Sequence, residues 1–106
     1  MPLSTNLVLQ LHGLLYRFSS DEGGKWKEGQ DGTVRERFVP VKAVATPQAM
    51  DDLVVGYRRA QQEGVDPMLS VPLTVLDFLC IHPFRDGNGR VSRLLTLLLL
   101  SQHGYD

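Results

Sequence analysis

The chain has 106 residues, room for one domain with a small core and little stability to spare. Its formal net charge of -1 gives no electrostatic argument for nucleic acid or an anionic membrane, and its single cysteine, Cys80, excludes an internal disulfide. Hydrophobic residues make up 42%, yet the longest apolar run, Leu97 to Leu100, falls far short of the ~20 residues that cross a bilayer.

Leu7, Val8, Leu11, Leu14, Leu15 and Phe18 recur at helical spacing, with Ser4 or Thr5 available as a cap. His12 lies inside that helix and reads as a surface or satisfied histidine. The next stretch is polar and glycine-rich, and Asp31-Gly32 followed by Thr33, Val34, Phe38, Val39 and Val41 signals a small β-hairpin or extended flap over about 24–41. Thr46 and Pro47 look like the N-cap and first residue of a second helix, whose apolar stripe is Met50, Leu53, Val54, Tyr57 and Ala60 and whose stop is Gly64. Asp66-Pro67 opens a third helix running through Val75, Leu76, Phe78, Leu79 and Ile81, which Pro72 is expected to kink or delay. Cys80, among Phe78, Leu79 and Ile81, reads as a buried thiol. The last helix begins near Asn88 and is apolar on nearly every side, so a central, buried position is expected, with Gly104 as its stop and His103 near the negative end of its dipole. The expected architecture is a single, mainly α domain over residues 1–106 with one β-hairpin. One cysteine and three histidines without ligand spacing argue against zinc. No secretory pattern opens the chain, and a cytoplasmic setting is expected.

Between the third and fourth helices stands His82-Pro83-Phe84-Arg85-Asp86-Gly87-Asn88-Gly89-Arg90-Val91-Ser92-Arg93. A loop opening a helix presents unpaired N–H groups and the positive end of the dipole, a natural phosphate site. Gly87 and Gly89 allow close backbone approach, and Asn88 between them can donate its amide to a phosphate oxygen. Arg90 and Arg93 share one helix face, and two guanidinium groups suit a polyphosphate. Asp86 is a hard oxygen ligand of the kind Mg2+ takes alongside phosphate, and His82 carries an imidazole, which ordinarily titrates near cellular pH as a general base should. Phe84 is read as the pin that holds the loop to the core. Neither a Walker A loop nor a dinucleotide fingerprint is present.

These twelve residues resemble the full signature of the Fic family, His-x-Phe-x-Asp/Glu-Gly-Asn-Gly-Arg-x-x-Arg, matching at every fixed position. The resemblance implies a Fic-like helical domain and a protein adenylyltransferase, moving AMP from ATP to a Ser, Thr or Tyr hydroxyl of a target protein. It implies that His82 deprotonates that hydroxyl and Asp86 holds Mg2+. Gly87, Asn88 and Gly89 would cradle the α- and β-phosphates, and Arg90 would bind phosphate. Arg93 would engage the γ-phosphate or the glutamate of an inhibitory helix. It also implies a target docked partly by strand addition along the flap, with contacts around Trp26 and between Arg35 and Val41.

The pattern departs from the family in two places. The chain ends soon after the motif helix, where Fic domains continue with at least one more helix, so a domain truncated at its C-terminus is expected, with a homodimer or partner over the face left open. The inhibitory pattern Ser/Thr-x-x-x-Glu-Gly/Asn is not intact at Glu22, Glu28 or Glu63, because Phe18, Gly24 and Arg59 stand four residues earlier. Inhibition is then expected from a flanking domain or a separate antitoxin, or not at all. The alternatives to adenylylation are removal of AMP, transfer of another phosphate-containing group, or a non-catalytic module binding nucleotide or partners.

Overall fold

The computed structural model describes residues 2–17, 23–28 and 41–105. Helix α1 (Thr5–Leu15) starts where the Ser4 hydroxyl accepts the Leu7 N–H at 3.0 Å, one of the two caps the sequence offers. Helix α2 (Thr46–Gln62) follows a 3₁₀ turn at Ala43–Ala45, and here the cap differs from expectation. Ala45 occupies the cap position, and Thr46 is already helical. The 3₁₀ turn has put the chain into helical geometry before Thr46 arrives, so its hydroxyl donates backward to the Lys42 carbonyl at 2.9 Å.

Helix α3 (Pro67–Ile81) is capped by Asp66, whose carboxylate accepts the Met68 N–H at 2.9 Å. Pro72 does not delay it: the helix begins at Pro67 and carries Pro72 within. The missing N–H forgoes only a bond to the Met68 carbonyl, and both residues are exposed, where water can serve that oxygen. Helix α4 spans Asn88–Gln102. Helices α2 and α4 stop by the same device, as their glycines predict. Val65 N–H reaches Ala60 O at 2.9 Å and Gly64 N–H reaches Gln61 O at 3.1 Å, while Tyr105 reaches Leu100 O at 3.1 Å and Gly104 reaches Ser101 O at 3.0 Å, two Schellman closures.

α3 packs against both α2 and α4, and α1 closes the group against α4 and α2. Met50 and Tyr57 of α2, Val71 and Phe78 of α3, Val91, Leu95 and Leu99 of α4 and Val8 of α1 merge into one buried cluster. The Arg58 guanidinium straps the N-terminus to α2, donating to the Leu3 carbonyl through Nε at 3.2 Å and a terminal nitrogen at 2.9 Å. His103 follows α4 as expected but is engaged by a side chain, with Nε2 3.0 Å from the buried Tyr57 hydroxyl. Burial raises the Tyr57 pKa above the ordinary tyrosine value.

Two further expectations need correction, and a third lacks support. Of the apolar residues of α4 only Val91, Leu95 and Leu99 are buried: Leu94 and Leu97 are 37% and 66% exposed, because a helix on the edge of a four-helix group has an outer side. Cys80 is exposed, since helical periodicity turns Phe78 and Ile81 inward and Cys80 outward beside Leu73 and Leu76. The β-hairpin is not supported: no strand occurs among the described residues. Residues 29–40, the body of the expected flap, lie outside the described residues. The part of it that is described packs on the loop between α3 and α4, where the Lys27 N–H bonds the Pro83 carbonyl at 2.8 Å rather than a partner strand. No helix among the described residues is long and apolar enough to cross a membrane.

Candidate active site

His82 ends α3 and turns the chain. Its backbone adopts φ 53° and ψ 58°, the left-handed region, and no other non-glycine residue among those described has a positive φ. Its N–H still reaches Phe78 O at 3.0 Å, so the helix closes through the residue expected to act as base. Two residues on, Phe84 is fully buried. Its ring stacks on His12 with centroids 3.8 Å apart and planes 3° from parallel, and Trp26 tilts against it at 5.2 Å. Phe84 therefore pins the loop as its apolar character predicts, and Trp26 packs against the same ring.

The turn into α4 is built around Gly87 and Asn88. Gly87 has φ 85°, and a Cβ there would lie 2.7 Å from the Tyr16 hydroxyl oxygen, so both conformation and space demand glycine. Asn88 is buried and folds its side chain back onto Phe84: Oδ1 accepts the Phe84 N–H at 2.9 Å, and Nδ2 donates to the Phe84 carbonyl at 2.7 Å. One of its two amide hydrogens thus braces the loop, a function the residue pattern does not reveal. Asp86 is exposed, and its carboxylate accepts the Gly87 N–H at 2.9 Å. No side chain caps α4, so the first-turn N–H groups of Asn88, Gly89 and Arg90 form the orphan set, and Val91 is the first residue to pair back, to Gly87 O at 3.0 Å. The Ser92 hydroxyl donates to Gly89 O at 2.6 Å. Arg90 and Arg93 are both exposed, and Arg93 curls toward the helix start, with a terminal nitrogen 3.6 Å from where a Gly89 Cβ would stand. Asp86, the uncapped turn and the two arginines therefore meet at one end of α4, with His82 at the other end of the same short loop.

Three residues support the site without a role in the sequence reading, although His12 is the satisfied histidine of the two readings offered for it. His12 is only 4% exposed: Nδ1 accepts the Gly24 N–H at 3.0 Å and Nε2 lies 2.9 Å from the Asp86 carbonyl oxygen. Tyr16 is buried against His12 and Gly87. Lys27 is 5% exposed, and its ammonium donates to the Val41 carbonyl and, at 3.2 Å, to the Ile81 carbonyl. A signal existed for His12, which falls one turn after Val8 on the apolar stripe of α1. None existed for Lys27, flanked by polar residues in a glycine-rich stretch.

The profile of the Fic/DOC family matches residues 2–100. The chain is 29% identical over 106 residues to the protein adenylyltransferase and cysteine protease IbpA of Histophilus somni, covering 98% of this chain and 2% of that protein. It is 30% identical over 69 residues to the protein adenylyltransferase fic-1 of Caenorhabditis elegans, covering 65% of this chain and 14% of that one. The chain thus spans a small part of these relatives' length. A solved Fic domain-containing signaling protein from Bacteroides thetaiotaomicron superposes with a TM-score of 0.88 at 28% identity, over 98% of this chain and 40% of its own. The four helices, the loop they hold and the sequence matches agree, and the chain belongs to the Fic/DOC family.

Proposed function

We propose that the protein transfers AMP from ATP to a hydroxyl side chain of a target protein. The observation that carries this reading is the loop between α3 and α4, which holds an imidazole at one end and an uncapped helix N-terminus flanked by Asp86, Arg90 and Arg93 at the other. Relatives of this chain are named protein adenylyltransferases, which supports the same chemistry.

In this reading the N–H groups at the start of α4 and the guanidinium groups of Arg90 and Arg93 hold the phosphates and offset the charge that develops on them. His82 takes the proton of the target hydroxyl, whose oxygen forms a bond to the α-phosphorus as the bond to the bridging oxygen breaks and pyrophosphate leaves. Little covalent work is asked of the protein, so positioning and charge dominate. Among the described residues no group of three or more His, Cys, Asp or Glu gathers as a metal cage. A lone exposed carboxylate beside a phosphate site fits Mg2+, which takes one or two carboxylates and completes its shell with phosphate oxygens and water. Asp86 is the residue to hold it, and the ion would neutralise charge between phosphates. The target enters along the segment that begins after Lys27 and returns at Val41, whose two ends lie next to the α3 terminus.

Intact-mass measurement after incubation with ATP, Mg2+ and cell lysate tests the reading. A mass gain of one AMP on the protein or a target, absent with His82→Ala, is expected. Labelling that persists in that variant removes His82 from the chemistry. Addition of a different phosphate-containing group overturns adenylylation.

A further inference from the structure

Every polar atom of the His12 ring is committed, and the commitment is directional. The Gly24 backbone N–H can only donate, so Nδ1, 3.0 Å away, must be the unprotonated nitrogen. The proton therefore sits on Nε2, which donates to the Asp86 carbonyl at 2.9 Å. The ring plane is fixed by its stack on Phe84, 3° from parallel, and the ring is 4% exposed, so water does not compete for either nitrogen. Three separate segments meet on this one side chain: α1, which carries it, the stretch at residues 23–28, and the motif loop. The carbonyl it holds belongs to the residue whose carboxylate accepts the Gly87 N–H and whose successor, Gly87, begins α4 in a left-handed conformation.

We propose that His12 is a positioning residue of the site, acting through Asp86: its Nε2–H fixes the Asp86 peptide, and with it the direction of the Asp86 carboxylate and the start of α4. His12 touches neither phosphate nor metal in this arrangement. The inference rests on the nucleotide-transfer reading for its consequence in binding, and on the hydrogen-bond geometry alone for its effect on the loop. A side chain serving only to fill the core would need the ring's shape; a positioning residue needs the donor at the ε position.

Two amide side chains separate these possibilities. His12→Gln places an N–H near the position of Nε2 and can keep the bond to the Asp86 carbonyl. His12→Asn places an oxygen near the position of Nδ1, keeping the bond from Gly24 and losing the donor to Asp86. Calorimetry with ATP, with Mg2+ or with EDTA, is run on the wild-type chain and both variants, beside amide NMR of Gly87 and Asn88. The Mg2+-dependent gain in ATP affinity is expected to stay within about threefold of wild type in His12→Gln and to fall at least tenfold in His12→Asn, as befits loss of a partner that orients a metal ligand. Binding in EDTA should change little, because the arginines and the α4 N-terminus are intact. The Gly87 and Asn88 amide shifts should move further in the Asn variant than in the Gln variant. Equal behaviour of the two variants, or a larger defect in His12→Gln, overturns the proposal. If wild type itself binds no ATP, the nucleotide reading fails on that result alone, and the amide shifts still decide whether His12 positions the loop. If both variants unfold, the ring nitrogens of the wild type decide: a proton on Nδ1 overturns the proposal, and a proton on Nε2 hydrogen-bonded across to Asp86 upholds it.

Discussion

Replacing His82 by glycine and, separately, by alanine removes the same imidazole from the same loop, yet the two variants should differ in stability. The backbone there has φ 53° and ψ 58°. An L-residue in that region costs about 1–2 kcal/mol, because Cβ crowds the following carbonyl. Glycine escapes this but forfeits roughly 0.5–1 kcal/mol through the greater freedom of its unfolded chain. The difference leaves His82→Gly more stable than His82→Ala by roughly 0.5–1 kcal/mol, with every contact of the imidazole cancelled between them. For a domain of this size each kcal/mol moves Tm by about 4–8 °C, so the separation should be roughly 2–8 °C. Urea unfolding followed by circular dichroism measures it, and equal slopes in the two variants certify that the same surface is exposed. Neither variant should transfer AMP. If His82→Ala proves as stable as His82→Gly or more so, the left-handed turn does not strain the solution structure. The loop would then not be a place where the fold holds an unfavourable backbone for the sake of its imidazole.

Gly87→Ala should weaken ATP binding and destabilise the fold, since it meets a forbidding φ of 85° and the Tyr16 ring; adding Tyr16→Ala should relieve only the steric part, measurable by the same unfolding series. Lys27→Met should cost about 1–3 kcal/mol, because the Val41 and Ile81 carbonyls lose their donor; a variant indistinguishable from wild type in urea would refute the clasp. Burial raises the pKa of Tyr57 above 10.0, so the unfolded chain gives up this proton first. Its contribution to stability is complete below pH 10.0 and declines as pH rises through the folded value; Tyr57→Phe should unfold over a shallower alkaline slope. Partial desolvation raises the Asp77 pKa above 3.8 although the residue is exposed on α3, so Asp77→Asn should hold its stability slightly better than wild type as pH rises from 3.8 toward neutrality.

The helices were legible because each of the four carries its own punctuation: Ser4 and Asp66 cap, and Gly64 and Gly104 close, through bonds local enough to follow from neighbouring residues. The candidate site could be picked out in the sequence because its residues lie in one loop and their types suggest a chemistry. What escaped are the long-range choices. Nothing near Lys27 announces that its ammonium would be buried among carbonyls from residues 41 and 81, and nothing near His12 announces a partner 74 positions away. Asn88 shows the limit within the motif itself. Its type suits phosphate, yet its bonds to Phe84 brace the backbone, and only geometry separates the two. Cys80 shows the limit within a helix: its neighbours in sequence are apolar, yet at ~3.6 residues per turn Phe78 and Ile81 point inward while Cys80 faces out.

The Lys27 clasp also bears on how this domain can change. One ammonium grips the carbonyl at the return of the segment, Val41, and the last carbonyl of α3, while its own backbone N–H holds Pro83. The chain between, residues 28–40, therefore leaves and rejoins the fold at a single knot. A closure fixed at one place sets no required length for the chain between its ends. Doubling such a segment adds only ~0.6 kcal/mol of closure entropy. Lengthening or exchange of residues 29–40 is therefore compatible with this clasp, whose hydrogen bonds all lie on residues outside that stretch.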